Sequence, residues 1–153
     1  MPKMITFSAL KEEWKNDEKY DREDAGNAAL DSVKCQAKYA NYLASERYAL
    51  SQLTEKRKIL RHDLTEYYLK RETPEVREKL GKKEGFGVKV LSKDVASWVD
   101  ADPTMIAMNL SVAAQDEKVE YIKALIENLQ NRNWGLKYYI EWRKFMAGVG
   151  GAS

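Results

Sequence analysis

The residue types that build most metal and redox sites are nearly missing from this chain, which has one cysteine, Cys35, and one histidine, His62, among 153 residues. One cysteine excludes an intrachain disulfide, and a Cys/His metal site has too few ligands to form. A reducing cytoplasm fits this usage. No apolar run approaches the roughly 18 residues that a membrane span requires. The opening stretch MPKMITFSALKEEW lacks the apolar core of a secretory leader, so a soluble, intracellular protein without membrane contact is expected. Glycine-rich phosphate loops with their lysine are absent, and His62 between Arg61 and Asp63 is no triad. The carboxylate pairs Glu12–Glu13 and Asp116–Glu117 read as solvated helix faces, and no catalytic residue, metal or cofactor is expected. Charged residues make up 33% of the chain, yet the net charge is only +2, so the distribution of charge has to decide whether nucleic acid is a partner.

The length suits one domain. Residues 1–27 form an acidic N-terminal segment, within which Phe7, Leu10 and Trp14 recur at helical spacing and predict a short helix after Ser8. A polar linker punctuated by Gly26-Asn27 follows, and residues 28–153 form a helical domain. From about Ala28 to Arg71 neither Pro nor Gly intervenes, and Leu43, Leu50, Leu53, Leu60, Leu64 and Tyr67 recur as on a long coiled-coil-like helix. Thr73-Pro74 stops that helix and caps the next, which should end at Gly81. The stretch GFGVKVL predicts a short extended segment, and Ser92 caps a short helix through Trp98.

After Asp102-Pro103, a second long helix carries a heptad through Met105, Met108, Val112, Gln115, Val119, Ile122, Ile126, Leu129, Asn133, Leu136, Ile140 and Arg143. The fold class is therefore mainly α, with two long helices, short helices and a short extended segment. A seam this narrow leaves apolar surface over, which assigns self-association to Val119, Ile122, Ile126, Leu129, Leu136 and Ile140. Gly135 is the expected place for a bend.

Function-bearing features are electrostatic. Between Lys56 and Arg71, six Lys or Arg face only Asp63 and Glu66. At about 100° per residue, Arg57, Arg61, Tyr68 and Arg71 share one band, flanked by Lys56 and Lys58. With Lys70, these seven are the candidate DNA-binding residues: cations neutralise phosphates and the ring stacks on bases. Leu50, Leu53, Leu60 and Leu64 share nearly the same band, so a solvated face with arginine stems along a packed seam stands beside that reading. A second basic and aromatic patch combines Arg132, Trp134, Lys137, Arg143 and Lys144 with Tyr138, Tyr139 and Trp142. Its alternative is that Trp134, Ile140, Trp142 and Phe145 pack the helix end against the domain. Lys82, Lys83, Lys89 and Lys93 form a third, weaker group. Cys35 reads as a small, partly buried side chain.

Taken together, AKYANYLASERYALSQLTEKRKILRHDLTEYY, VKVLSKDVASWVDADPTMIAMNL and KVEYIKALIENLQNRNWGLKYYIEWRKFMAG closely resemble the UvsY family in order and spacing, from about Asp31 to Gly148. The resemblance is carried by Glu66-Tyr67-Tyr68, Lys93-Asp94-Val95, Asp100-Ala101-Asp102 and the closing Ile140-Glu141-Trp142-Arg143-Lys144-Phe145 with Gly148. It implies a ring-like homo-oligomer of roughly six or seven subunits without enzyme activity, in the host cytoplasm. It also implies binding of single-stranded DNA and help for a RecA-like phage recombinase in displacing a phage single-strand-binding protein during recombination, repair and replication. The family's Lys-x-Arg pair before the Tyr-Tyr motif falls here on His62 and Leu64, so that pair is absent, and Arg61, Lys58 and Arg57 are the nearest substitutes. A non-enzymatic coiled-coil scaffold is the competing class.

Overall fold

The computed structural model describes residues 4–150 as five α-helices: α1 (Phe7–Asp17), α2 (Ala25–Tyr68), α3 (Pro74–Lys79), α4 (Val95–Ala101) and α5 (Pro103–Gly150). Among the described residues there is no strand, and Gly85–Leu91 is a non-helical connection without a ladder partner. No described helix is long and apolar enough to cross a membrane.

Local chemistry sets most boundaries. Thr6, two residues before the expected Ser8, caps α1 by accepting from the Ala9 amide at 3.2 Å. Gly26 and Asn27 are not a break but the first turn of α2, where Asn27 Nδ2 donates to Asp24 at 2.8 Å. Thr73 accepts from the Val76 amide and Pro74 opens α3, as the capping signature requires. Asp102 Oδ1 accepts from the Thr104 amide at 2.8 Å ahead of α5, which runs unbroken through Gly135. Helix α4 starts three residues after Ser92, because residues 92–94 form a turn and Asp94 holds the cap position.

Two helices end in the same closure. After α3, Gly81 is left-handed (φ 69°), with its amide on Glu78 O and the Lys82 amide on Arg77 O. After α2 the corresponding residue is Lys70 (φ 58°), with its amide on Tyr67 O and the Arg71 amide on Glu66 O. Both are Schellman caps, but only the first carries the glycine that normally signals one. Helix α2 therefore ends at Tyr68, three residues before the expected Arg71, and Lys70 and Arg71 lie beyond it.

The chain divides into two compact units, to each of which α2 and α5 contribute one stretch. The first comprises residues 1–47 and 117–153. Its core joins Leu10, Tyr39, Ile122, Leu125 and Leu129, with Phe7 and Trp14 packed against it, and a smaller cluster joins Ala25, Ala28 and Leu136. Helix α1 is docked rather than free: Lys38 pairs with Glu13 and Asp17, and the Tyr39 hydroxyl donates to Asp17 at 2.8 Å. Burial alone would raise the Asp17 carboxyl, but the Lys38 ammonium and Tyr39 hydroxyl hold it below its ordinary value. In the same unit a buried ion pair links Lys118 to Glu46 at 2.9 Å.

The second unit, residues 48–116, packs Leu64, Tyr67, Tyr68, Val99 and Met105 together, with Leu60, Leu80, Phe86 and Val95 against them.

Candidate nucleic-acid interface

In the second unit, the basic stretch of α2 is divided between exposed cations and neutralised ones. Arg61 pairs with Asp100 of α4 at 2.9 Å and Lys58 with Glu55 at 2.7 Å. Both pairs are largely solvent-exposed, so they hold the side chains only weakly. Lys56, Arg57, Lys70 and Arg71 make no ion pair with described residues, and all but the half-buried Arg57 are exposed. His62 is exposed, whereas Leu64 is fully buried, so a cation at position 64 would point into the core of this chain. The exposed cations of this stretch therefore stand at neighbouring positions, not in the family's register.

Tyr68 is not the stacking ring that its helical band suggested. It is 7% exposed, and its hydroxyl donates to Asp102 Oδ2 at 2.7 Å. Burial and the Asp102 carboxylate both raise the pKa of its hydroxyl, so it stays a protonated donor. Lys82 Nζ reaches the same oxygen at 3.2 Å and lies 5.4 Å from the Tyr67 ring, which makes Lys82 a structural cation. Burial would raise Asp102, but the bonds from Tyr68, the Thr104 amide and Lys82 keep it below its ordinary value. One outward ring here is a residue that the sequence did not single out. Trp98 is 40% exposed and meets Phe86 at 5.3 Å and Tyr68 at 6.0 Å. Its only sequence signal is a tryptophan on a seven-residue helix beside a lysine-rich connection.

The second patch, in the first unit, separates into two faces of α5. Arg132 is an internal tie: it donates to Ser32 Oγ at 2.6 Å and to the Asp17 carbonyl at 2.9 Å, and stacks over Tyr20. Arg143 pairs with Glu23 at 3.2 Å, and Tyr139 donates to the same carboxylate. Lys144 is exposed, and Lys137 lies 5.2 Å from the Trp134 ring. Trp134, Trp142 and Phe145 do not pack the helix end inward, since each is more than half exposed. With Tyr138 and Val149 they follow one another every three or four residues and form an uncovered apolar ridge.

The residues expected to mediate self-association lie elsewhere. Val119, Ile122, Leu129 and Leu136 are buried within this unit, and Ile126 and Ile140 are half-buried against its two clusters. The heptad is thus real, but α1 and α2 of the same chain cover it.

The profile described as "Recombination, repair and ssDNA binding protein UvsY" matches residues 13–149. The chain belongs to the UvsY family. Crystal structures of the bacteriophage T4 recombination mediator protein UvsY share the fold. Lattice type II superposes with a TM-score of 0.80 at 17% identity, covering 94% of this chain and 98% of that one. Lattice type IV gives 0.78 at 16% identity, covering 92% and 99%. No curated protein matches the sequence. The UvsY-family resemblance read from the three sequence blocks and the mainly helical fold class both hold. Among the described residues, no group of three or more His, Cys, Asp or Glu is placed to hold a metal ion.

Proposed function

We propose that this UvsY-family chain is a non-enzymatic recombination mediator acting in the phage-infected host cytoplasm. It binds single-stranded DNA and promotes loading of a RecA-like phage recombinase against a phage single-strand-binding protein. The family match across residues 13–149 carries this reading. The exposed cations Lys56, Lys58, Arg61, Lys70 and Arg71, with half-buried Arg57, support it, because phosphate neutralisation by such side chains gives sequence-independent, salt-sensitive affinity.

A net charge of only +2 suits a mediator, which must hold a strand and then give it up. A homo-oligomer, of roughly six or seven subunits in the ring geometry of closed symmetry, multiplies weak contacts through effective concentration. The ridge of Trp134, Tyr138, Trp142, Phe145 and Val149 is the surface we assign to self-association, since exposed apolar patches of this kind mark interfaces.

Replacing Arg57, Lys58 and Arg61 together by alanine should weaken binding to a labelled oligonucleotide and flatten the dependence of log K on log salt by two to three phosphate contacts, about 0.7 each. Unchanged binding by an oligomer of unchanged mass would remove this face from the DNA path.

A further inference from the structure

We propose that Trp98 is the base-stacking residue of the single-stranded-DNA site, an inference that rests on the DNA-binding reading above. Neutralising phosphates accounts for affinity but not for a preference for unpaired strands, which needs a ring on which exposed bases can lie. In the second unit Tyr67 and Tyr68 are both buried, so neither can serve. Two large rings stay open there: Tyr48, 61% exposed, at the unit's first residue and eight residues before Lys56, and Trp98, 40% exposed, whose helix α4 is held by Arg61 of the basic stretch and which other rings back.

Its orientation is fixed from behind. Phe86 meets it edge-on at an interplanar angle of 66°, and Tyr68 at 39°. Tyr68 is in turn anchored on Asp102, which Lys82 and the Thr104 amide hold. A ring held this way needs little ordering when a base arrives, which favours stacking.

Cations lie on the elements beside it, along with the carboxylates Asp94 and Asp100. Arg61, from the basic stretch of α2, grips Asp100 on the same short helix at 2.9 Å. Lys89 and Lys93, both exposed, lie on the connection leading into α4. On α5 the exposed rings are arranged differently. There the exposed rings repeat at helical spacing, as a helix-docking surface does. On α4 the other exposed positions, Ala96, Ser97, Asp100 and Ala101, are small or polar, so Trp98 is the one large apolar side chain exposed on that helix.

The test is Trp98→Ala on the full chain, titrated with a labelled oligo-dT strand and with an abasic strand of equal length, with light scattering on the same samples. Affinity for oligo-dT should fall about tenfold, the salt slope should stay unchanged because no phosphate contact is lost, and the abasic strand should bind wild type and variant alike. Trp98→Phe should recover most of the loss. Ultraviolet cross-linking of a 5-bromodeoxyuridine strand to the unaltered protein should attach at Trp98. Equal oligo-dT binding by wild type and Trp98→Ala, an equal deficit on the abasic strand, or attachment only elsewhere would overturn the assignment while leaving the mediator reading in place. Absence of any strand binding by the wild type would overturn both.

Discussion

Lys118→Ala should destabilise the first unit by about 3–5 kcal/mol, because it strips the ammonium from a carboxylate that has no access to water. The Glu46 side chain is 1% exposed and Lys118 10%, with their charged atoms 2.9 Å apart. Desolvating both ions is costly, and their attraction offsets that cost only while both are present. Replacing both by apolar residues, Glu46→Leu with Lys118→Met, should therefore be close to neutral or even stabilising. Urea denaturation followed by circular dichroism at fixed protein concentration separates the two variants. A loss below 1 kcal/mol for the single substitution would mean that water reaches Glu46.

Leu129→Ala and the pair Trp142→Glu with Phe145→Glu should fail in different ways. Leu129 is fully buried beside Leu10, Tyr39 and Ile122, so its truncation leaves a cavity costing about 2–5 kcal/mol and should lower the unfolding midpoint at every protein concentration. Trp142 and Phe145 are 57% and 66% exposed, so charging them removes the surface stack of Trp142 on Tyr139 but no core packing. That variant should keep its helical spectrum while the mass measured by light scattering falls. The opposite pattern, in which Leu129→Ala dissociates a folded protein and the ridge variant keeps its mass, would return self-association to the heptad face.

These contrasts also show how far the sequence could be read. Caps depend on neighbours in the chain, so Thr73-Pro74 and Asp102-Pro103 were legible and both mark real helix starts. The heptad from Met105 onward was legible as a buried face, because burial imposes the period whatever supplies the partner. Periodicity cannot say whether that partner is α1 and α2 of the same chain or a neighbouring subunit, which is why Val119, Ile122 and Leu129 were expected at an interface. A helical wheel likewise placed Tyr68 with Arg57 and Arg61, although in the fold Tyr68 is buried on Asp102 and Arg61 meets Asp100. The end of α2 is not legible in the sequence, because Lys70, and not glycine, takes the left-handed position. The Lys118–Glu46 pair left no trace in the sequence at all, since two charged residues far apart in the chain look like two solvated ones.

A mediator of this kind must prefer single strands and must do so as an assembled protein. Anisotropy titration of labelled single- and double-stranded oligonucleotides across a salt series, with light scattering on the same sample, tests it most directly. Salt-sensitive binding by a multi-subunit species, tighter for the single strand, is the predicted result. An oligomer indifferent to both strands at low salt would contradict it and leave a helical scaffold in its place.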